Sequence, residues 1–166
     1  MDHLGTFPIK TADLGLQGNL FGGTILFWTD ACAVSYVMKM TRQPRLVTKT
    51  MNSIFVSPVK AGELLSLYGW PIQIGRTSIQ GVVEAKTLNM ESTEERMVFT
   101  ASIVFVCISE QGKPMQIGEA DRERIKCSLL SSGRDGLASS IHRDFVSGPK
   151  PPPEVTHHRQ PHPKEP

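Results

Sequence analysis

The dominant hydrophobic pattern in the chain is a long apolar run that begins behind a pair of glycines. Gly22 and Gly23 open the run, and apolar residues then continue to Met38 on almost every side of a helical wheel. A run of this length and all-round apolarity predicts a helix over about residues 23–40 that is buried on all sides. The polar segment 41–44 should end it, because Pro44 cannot continue a helix.

A different periodicity marks the segment after the helix. Residues 45–56 alternate and are rich in β-branched side chains, which predicts a strand. The alternation places one set of side chains on one face (Leu46, Thr48, Thr50, Asn52, Ile54 and Val56) and another on the opposite face (Val47, Met51 and Phe55).

Further strands are predicted before and after this one. A short edge strand over 6–14 should lead into a loop at 15–19, and later strands are expected over 63–74, 77–87 and 97–109. Pro71 predicts a bulge or an edge position, because proline cannot donate to a strand ladder. The last strand is apolar on both faces near its end, which suggests that a partner subunit covers one of them.

One long helix followed by strands with short connections predicts the α+β class. The expected architecture is an antiparallel sheet of about five strands wrapped around one long central helix. The domain should span 1–118.

The end of the chain has a different composition. From residue 119 onward Ser, Arg and Gly become frequent, and Pro and His dominate the last residues. A mostly disordered C-terminal extension over 119–166 is therefore expected, with a possible short helix near 121–130. A solvated tail accounts for His157, His158 and His162 better than a metal site does, because ligands without a folded frame give poor geometry.

Charge and cysteine content narrow the function classes. Lys and Arg total 18 against 16 Asp and Glu, and the resulting net charge of +2 gives no support to nucleic-acid binding. The three cysteines, Cys32, Cys107 and Cys127, lack metal-ligand spacing and indicate reduced, mostly buried thiols. The start of the chain lacks a signal-peptide pattern and Asp30 interrupts the only candidate span, so we expect no membrane association and a cytoplasmic location.

A single acid, Asp30, lies in the middle of the predicted helix. Its neighbours three and four residues away are Leu26, Phe27, Ala33 and Val34, none of which can pair with a carboxylate. Such an acid either faces a narrow wet stripe beside Thr29, Ser35 or Lys39 or serves a chemical purpose.

The glycine pair favours the chemical purpose. Glycine permits close approach to the backbone, and a helix N-terminus presents unpaired N–H groups. Gly22 and Gly23 could therefore form an oxyanion hole, with Asp30 as a base two turns further along the same helix. This is a minimal set of groups for hydrolysing an activated acyl compound.

Four segments in order resemble the hot-dog-fold acyl-CoA thioesterases, specifically the acyl-CoA hydrolase branch. The first is Gly18-Asn19-Leu20-Phe21-Gly22-Gly23 with Asp30 seven residues on; the others are 55–64, 74–79 and 105–108 followed by Gly112-Lys113-Pro114. The resemblance covers about residues 8–118. It implies thioester hydrolysis with Asp30 as general base, or alternatively as the nucleophile that forms an anhydride.

The resemblance also implies contacts and assembly. Arg76, Thr77 and Ser78 would contact coenzyme A together with Lys113 and Pro114, and no cofactor or metal beyond the coenzyme A of the substrate would be required. Two subunits would pair sheet edges into a continuous sheet, and three dimers would form a hexamer.

One position departs from the family. Many members carry an Asn upstream of the Gly-Asn pair, and Gly15 occupies that place here. Asn19 could take over part of that role by bonding the water or the thioester, or could simply favour the turn before the helix.

Two other functions follow from the same fold. A hydroxyacyl dehydratase generally uses a His with an acid, and all histidines here (His3, His142, His157, His158 and His162) lie outside the expected core. A non-catalytic acyl-CoA-binding protein is the remaining alternative, which Gly15 keeps open. Met38, Met51 and Phe55 could border an acyl tunnel or belong to the core.

Overall fold

A five-stranded antiparallel sheet packs against one long helix in the computed structural model, which describes residues 1–131. The elements run in the order β1 (Asp2–Pro8), a 3₁₀ turn (Thr11–Asp13), α1 (Gly22–Thr41), β2 (Leu46–Phe55), β3 (Glu63–Ile74), β4 (Ser78–Asn89), β5 (Glu95–Cys107) and α2 (Glu119–Ser131). The strand order is β1-β3-β4-β5-β2, which leaves β1 and β2 as the two edges. The predicted α+β class is confirmed.

Helix α1 buries one stripe against the sheet. Every fourth residue is buried, namely Ile25, Thr29, Ala33, Val37 and Thr41, while the side chain of Phe27 is 69% exposed. The expectation of a helix buried all round is therefore wrong for a single chain, because one sheet can cover only one face of a helix. The helix ends at Thr41, and the next residue, Arg42, has a left-handed backbone that caps it two residues before Pro44.

The first strand begins earlier than predicted. It runs over Asp2–Pro8 instead of 6–14, and it pairs with Leu64 to Gly69 of β3. Beyond it the backbone N–H of Lys10 donates to the Asp13 carboxylate (2.9 Å), which turns the chain into the 3₁₀ segment and ends the extended run.

The prediction for Pro71 is confirmed. The register of β3 against β4 shifts between Pro71 and Gln73, and the β1 partner already ends at Gly69. Because β1 does not pair with β3 at Pro71, the missing N–H of proline costs no ladder hydrogen bond on the β1 side.

A second irregularity corrects the predicted alternation in β2. The register against β5 shifts between Thr48 and Thr50, so that Thr48, Met51 and Phe55 pair with Phe105, Ile103 and Phe99. These three partners form part of the buried core, and cross-strand pairs share a face. One extra residue therefore puts Thr48 on the same face as Phe55, whereas strict alternation separates them.

Strand β5 is fully covered on one face only. Phe99, Ala101, Ile103, Phe105 and Cys107 are buried under the helix, but Val104 and Val106 on the other face are only partly buried. Within one chain, the predicted cover on both sides is incomplete.

Helix α2 extends the packed unit beyond the predicted boundary at residue 118. Ile125 and Leu129 are buried and belong to the core, and Arg124 Nη2 donates to the Met40 carbonyl at the end of α1 (2.5 Å). The possible short helix near 121–130 corresponds to this element. The disorder and the histidine tail predicted further on lie outside the described residues.

No helix among residues 1–131 is long and apolar enough to cross a membrane.

Candidate functional site

The N-terminus of α1 presents two free backbone donors. Phe21 is extended and gives the helix no side-chain cap, and its carbonyl accepts from Thr24 (2.9 Å) and Ile25 (3.4 Å). The N–H groups of Gly22 and Gly23 precede these bonds and find no backbone acceptor within residues 1–131. They are available to an oxygen atom that approaches the helix end.

Two aromatic rings lie against these glycines. A Cβ added to Gly23 would lie 2.5 Å from Cε1 of Phe21, and one added to Gly22 would lie 3.4 Å from the ring of Phe55. Both rings are largely exposed, at 62% for Phe21 and 51% for Phe55. A side chain at position 23 would have to move the exposed Phe21 ring away from the start of the helix.

A groove of about 270 Å³ starts at this point. It is lined by Leu20, Gly22, Ile25, Phe55, Val56, Ser57, Pro58 and Val59. Of the three residues considered for an acyl tunnel, Phe55 borders this groove, whereas Met51 packs against the core.

Asp30 is held by a residue of the neighbouring strand. The hydroxyl of Thr48 donates to Asp30 Oδ1 at 2.5 Å, and the pair is partly buried. The carboxylate thus has a partner on β2, although it has none on its own helix. This short hydrogen bond orients the carboxyl group and leaves its second oxygen for another group.

Asp30 and the glycines do not meet within one chain. Gly22 and Asp30 lie eight residues apart on one helix, which corresponds to about 12 Å along its axis. A base and an oxyanion hole must both reach the same thioester group, so these two cannot act together in a single subunit.

Asn19 lies in the loop just before the helix. Its side-chain Oδ1 accepts from Lys60 Nζ at 2.6 Å, and its carbonyl accepts from the Gly15 N–H at 2.8 Å. Gly15 itself has room for a side chain, because an added Cβ would meet only Phe21 and Asn19 at 3.7 Å and 3.8 Å. The backbone therefore does not require glycine at this position.

The residues expected to contact coenzyme A are brought together at one end of the sheet. The Arg76 carbonyl accepts from Ile117 and the Thr77 carbonyl accepts from Cys107, both at 2.9 Å. Pro114 forms a bridge with Ile108, and the Lys113 carbonyl accepts from Ser109 at 2.8 Å. Arg76 and Lys113 are both exposed near the end of β5.

This cluster lies at the Asp30 end of the sheet. Ser78 pairs with Val106, which in turn pairs with Val47, the neighbour of Thr48. The two strand spacings between Ser78 and Val47 amount to roughly 10 Å. The extended arm of coenzyme A that ends in the thiol can span this distance.

Two residues of the site escaped the sequence analysis, Thr48 and Lys60. Thr48 was placed on a strand but assigned no role, and the register shift that turns it toward Asp30 has no glycine or proline to mark it. Lys60 lies in the resembling segment 55–64 but was assigned no role, and its partner Asn19 lies 41 residues away in sequence. A pattern read from one sequence does not reveal contacts between residues this far apart along the chain.

All three cysteines are free, but only Cys107 is buried and Cys32 is half-buried, so the expectation of mostly buried thiols is wrong. Burial raises the pKa of the Cys107 thiol to about 11 and also raises that of Cys32. Cys127 is exposed on α2. No group of His, Cys, Asp or Glu side chains within residues 1–131 could hold a metal ion.

Sequence comparison gives the family. Residues 17–93 match the model of the thioesterase superfamily. An uncharacterised acyl-CoA thioester hydrolase of Zymomonas mobilis is 30% identical over 115 residues, which cover 69% of this chain and 76% of that protein. Another from Buchnera aphidicola is 30% identical over 121 residues and covers 68% and 89% of the two chains.

Solved structures give the same fold. A hexameric hotdog-fold thioesterase of Campylobacter jejuni superposes with a TM-score of 0.70 at 26% identity, over 76% of this chain and 97% of that one. An acyl-CoA hydrolase of Staphylococcus aureus, solved with butyryl coenzyme A, coenzyme A and coenzyme A disulfide, gives 0.63 at 17% identity, over 86% and 91%. The hot-dog fold implied by the resemblance is confirmed.

Proposed function

Because this chain belongs to the thioesterase superfamily, among its hot-dog-fold acyl-CoA thioester hydrolases, we propose that it hydrolyses acyl-CoA to a free fatty or organic acid and coenzyme A. The observation that carries the proposal is the Asp30 carboxylate, fixed by Thr48 at 2.5 Å on the helix whose N-terminus offers free N–H groups. These are the two groups that thioester hydrolysis needs.

The chemical step uses Asp30 as general base. It takes a proton from water, the water oxygen attacks the thioester carbonyl carbon, and the charge that develops on the carbonyl oxygen is stabilised by the Gly22 and Gly23 N–H groups. Collapse of the tetrahedral intermediate breaks the C–S bond, and the proton held by Asp30 passes to the departing thiolate. Direct attack by Asp30 to give an anhydride is the alternative route to the same products.

The site is shared between two subunits. Asp30 lies over Thr48 near the start of β2, whereas Gly22 lies beside Phe55 at its end. Antiparallel pairing of this edge strand with its copy brings the start of one strand beside the end of the other. Each interface then contains two sites, each with Asp30 from one subunit and the glycine pair from the other.

Assembly beyond the dimer follows the relatives. The Campylobacter jejuni thioesterase is hexameric, and we propose the same trimer of dimers here. The exposed apolar side chains Phe27, Val47, Phe55 and Val56 supply surface for such contacts.

Coenzyme A would lie along Arg76, Thr77, Ser78, Lys113 and Pro114. The exposed guanidinium of Arg76 and ammonium of Lys113 flank one strand end and suit phosphate groups. The groove beside Gly22 and Phe55 would take the acyl chain. The reaction requires no cofactor other than the coenzyme A of the substrate, and the three free thiols support a cytoplasmic location.

One observation favours a second function, acyl-CoA binding without turnover. Gly15 stands where many family members carry an Asn, although a side chain would fit there. A protein that had lost this group could retain its affinity for acyl-CoA and hydrolyse it slowly or not at all.

One experiment separates the two functions and tests Asp30. Release of free thiol is measured over a panel of acyl-CoAs of different length for the wild type and for Asp30→Asn. We expect hydrolysis by the wild type and a loss of roughly 10²–10⁴ in kcat for the variant, with an unchanged thermal midpoint. Tight acyl-CoA binding without thiol release would identify a binding protein instead, and wild-type turnover in Asp30→Asn would eliminate Asp30 as the base.

A further inference from the structure

The Lys60–Asn19 hydrogen bond has a fixed direction. An ammonium group can only donate, so Lys60 Nζ donates and Asn19 Oδ1 accepts over 2.6 Å. The opposite amide orientation would set two donors against each other. The acceptor end of Asn19 is therefore engaged by Lys60, and the Nδ2 group with its two N–H donors remains for a different partner.

The backbone of Lys60 is held by a partly buried ion pair between Glu63 and Arg96. Its backbone N–H donates to Glu63 Oε2 at 2.9 Å, and Glu63 is only 6% exposed. Arg96 Nη2 donates to both carboxylate oxygens of Glu63, at 2.6 Å and 2.9 Å, and Arg96 Nη1 donates to the Thr87 hydroxyl at 2.9 Å. Both bonds to Glu63 come from the single nitrogen Nη2, and this charge-assisted contact helps to hold the turn that carries Lys60.

The Asn19 backbone is held by a second set of bonds. Its carbonyl accepts from Gly15, and the N–H of the next residue, Leu20, donates to the Val59 carbonyl at 2.8 Å. Both the main chain and the side chain of Asn19 are thus tied to neighbouring segments. Such support is what a group needs to act with a defined geometry.

Asn19 also borders the same groove as the helix N-terminus. A groove of about 400 Å³ is lined by Gly15, Leu16, Gln17, Asn19, Leu20, Phe21 and Gly22. Asn19 and Gly22, each with free N–H donors, therefore line one concave surface. A ligand oxygen in this groove would meet donors from both.

We propose that Lys60 is a positioning residue that orients Asn19 so that its amide donates to the thioester oxygen beside the Gly22 and Gly23 N–H groups. The inference rests on the proposed hydrolase function and assigns Asn19 one of two opposite roles. Asn19 stabilises the oxyanion as a donor; it does not accept a hydrogen bond from the attacking water. Lys60 acts through Asn19 and does not itself touch the substrate.

Two substitutions of Asn19 separate the donor role from the acceptor role. Asn19→Ala removes all polar atoms, whereas Asn19→Asp keeps the oxygen that accepts from Lys60 and replaces the two donors by a second acceptor. If Asn19 donates, both variants should lose about 10²-fold in kcat, the usual effect of losing one oxyanion donor. If it accepts from water, Asn19→Asp should remain active.

Substitutions of Lys60 test the positioning role. Lys60→Met should lower kcat by about ten-fold with little change in KM, and Lys60→Arg should retain most activity because it restores a donor. The double variant Lys60→Met/Asn19→Ala should be no slower than Asn19→Ala alone, because Lys60 has no effect without Asn19. Lys126→Met serves as the matched control, since it removes an exposed ion pair with Glu123 on α2.

The outcomes distinguish this inference from the hydrolase proposal. A wild type without turnover on any acyl-CoA overturns both. An active wild type with a fully active Asn19→Asp, or with additive losses in the double variant, overturns the inference and leaves the hydrolase function standing. Thermal midpoints of all variants are measured together, and a loss of kcat that merely follows a loss of stability also counts against the positioning role.

Discussion

At the scale of single residues, the site consists of short polar contacts made across long sequence distances. Thr48 donates to Asp30, and Lys60 donates to Asn19. Each contact uses only one of the two polar atoms at the tip of the accepting side chain. The other end, a carboxylate oxygen in Asp30 and an amide nitrogen in Asn19, is left for a ligand. This division of hydrogen-bonding capacity defines which atoms can act as base and which as donor.

Thr48 offers a direct test of how the Asp30 carboxylate is held. Thr48→Val keeps the β-branched shape and removes the hydroxyl, so the carboxylate loses a charge-assisted bond and its fixed orientation. We expect about ten-fold lower kcat in the thiol-release assay, with KM little changed. Thr48→Ser keeps the donor and should stay close to the wild type. Equal activity of the Val and Ser variants would show that this bond plays no part in catalysis.

At the scale of elements, pattern reasoning found the secondary structure more easily than the geometry of the site. The predicted strand over 63–74 coincides with β3, and the predicted helix differs from α1 by one residue at each end. Strong periodicity and the glycine and proline positions carry that information locally.

The sequence could not reveal which side chains of β2 lie on the face that packs against α1. A one-residue register shift between Thr48 and Thr50 turns Thr48 to the face that also carries Phe55. The shift is set by pairing with β5, some 50 residues away, and its local sequence Thr48-Lys49-Thr50 is ordinary strand sequence. The site depends on this shift, because it puts both ends of β2 against α1.

The same limit applies to α2. Its composition is polar, and only Ile125 and Leu129 turn toward the core, four residues apart. Two apolar positions make too weak a pattern to predict a docked helix. The contact that fixes it, Arg124 with the carbonyl of Met40, joins residues 84 positions apart.

Packing of α2 can be tested with a matched pair of substitutions. Ile125 is 1% exposed and Leu130 is 65% exposed on the same helix. Ile125→Ala should lower the free energy of unfolding by about 2–5 kcal/mol, whereas Leu130→Ala should change it by about 0.5 kcal/mol or less. Urea unfolding of both variants measures the difference. Equal small effects would mean that α2 does not contribute to the core in solution.

The Arg76 end of the sheet makes a separate kinetic prediction. Arg76 is exposed at the turn into β4, and its proposed partner is a phosphate of coenzyme A, which is distant from the thioester in the substrate. Arg76→Met should raise KM for acyl-CoA by about ten-fold and leave kcat nearly unchanged, because a phosphate contact binds ground state and transition state equally. Steady-state kinetics with one acyl-CoA measures both constants, and Lys126→Met is again the control. A fall in kcat at constant KM would place Arg76 near the chemistry instead.

At the scale of the whole molecule, one chain carries both halves of a site but keeps them apart. The carboxylate lies at the start of β2 and the free N–H groups at its end, about 12 Å apart along α1. An edge strand that pairs with its own copy brings opposite ends together, and each subunit then completes the site of the other. The exposed Phe55 and Val56 at the end of this strand are the apolar surface that such pairing would bury.

Subunit mixing tests this arrangement. Asp30→Asn removes the base, and Gly23→Val places a branched side chain at the helix end, where it would obstruct access to the free N–H groups. Each homodimer should be inactive. In a mixed dimer one site carries both defects and the other carries neither, so equal mixing should restore about a quarter of wild-type turnover.

The mixing experiment needs two controls and has one decisive outcome. Circular dichroism and mass must first show that Gly23→Val folds and dimerises, and native mass spectrometry must show that mixed dimers form. A second mixture combines Asp30→Asn subunits with Thr48→Val subunits. Both substitutions affect the half of the site that carries the base, so every site in a mixed dimer has a defect. Subunit exchange in this mixture should therefore not raise turnover above the sum of the two unmixed variants, because Asp30 and Thr48 of one subunit contact each other. Confirmed exchange between Asp30→Asn and Gly23→Val subunits without recovery of turnover would show that base and oxyanion hole come from the same chain.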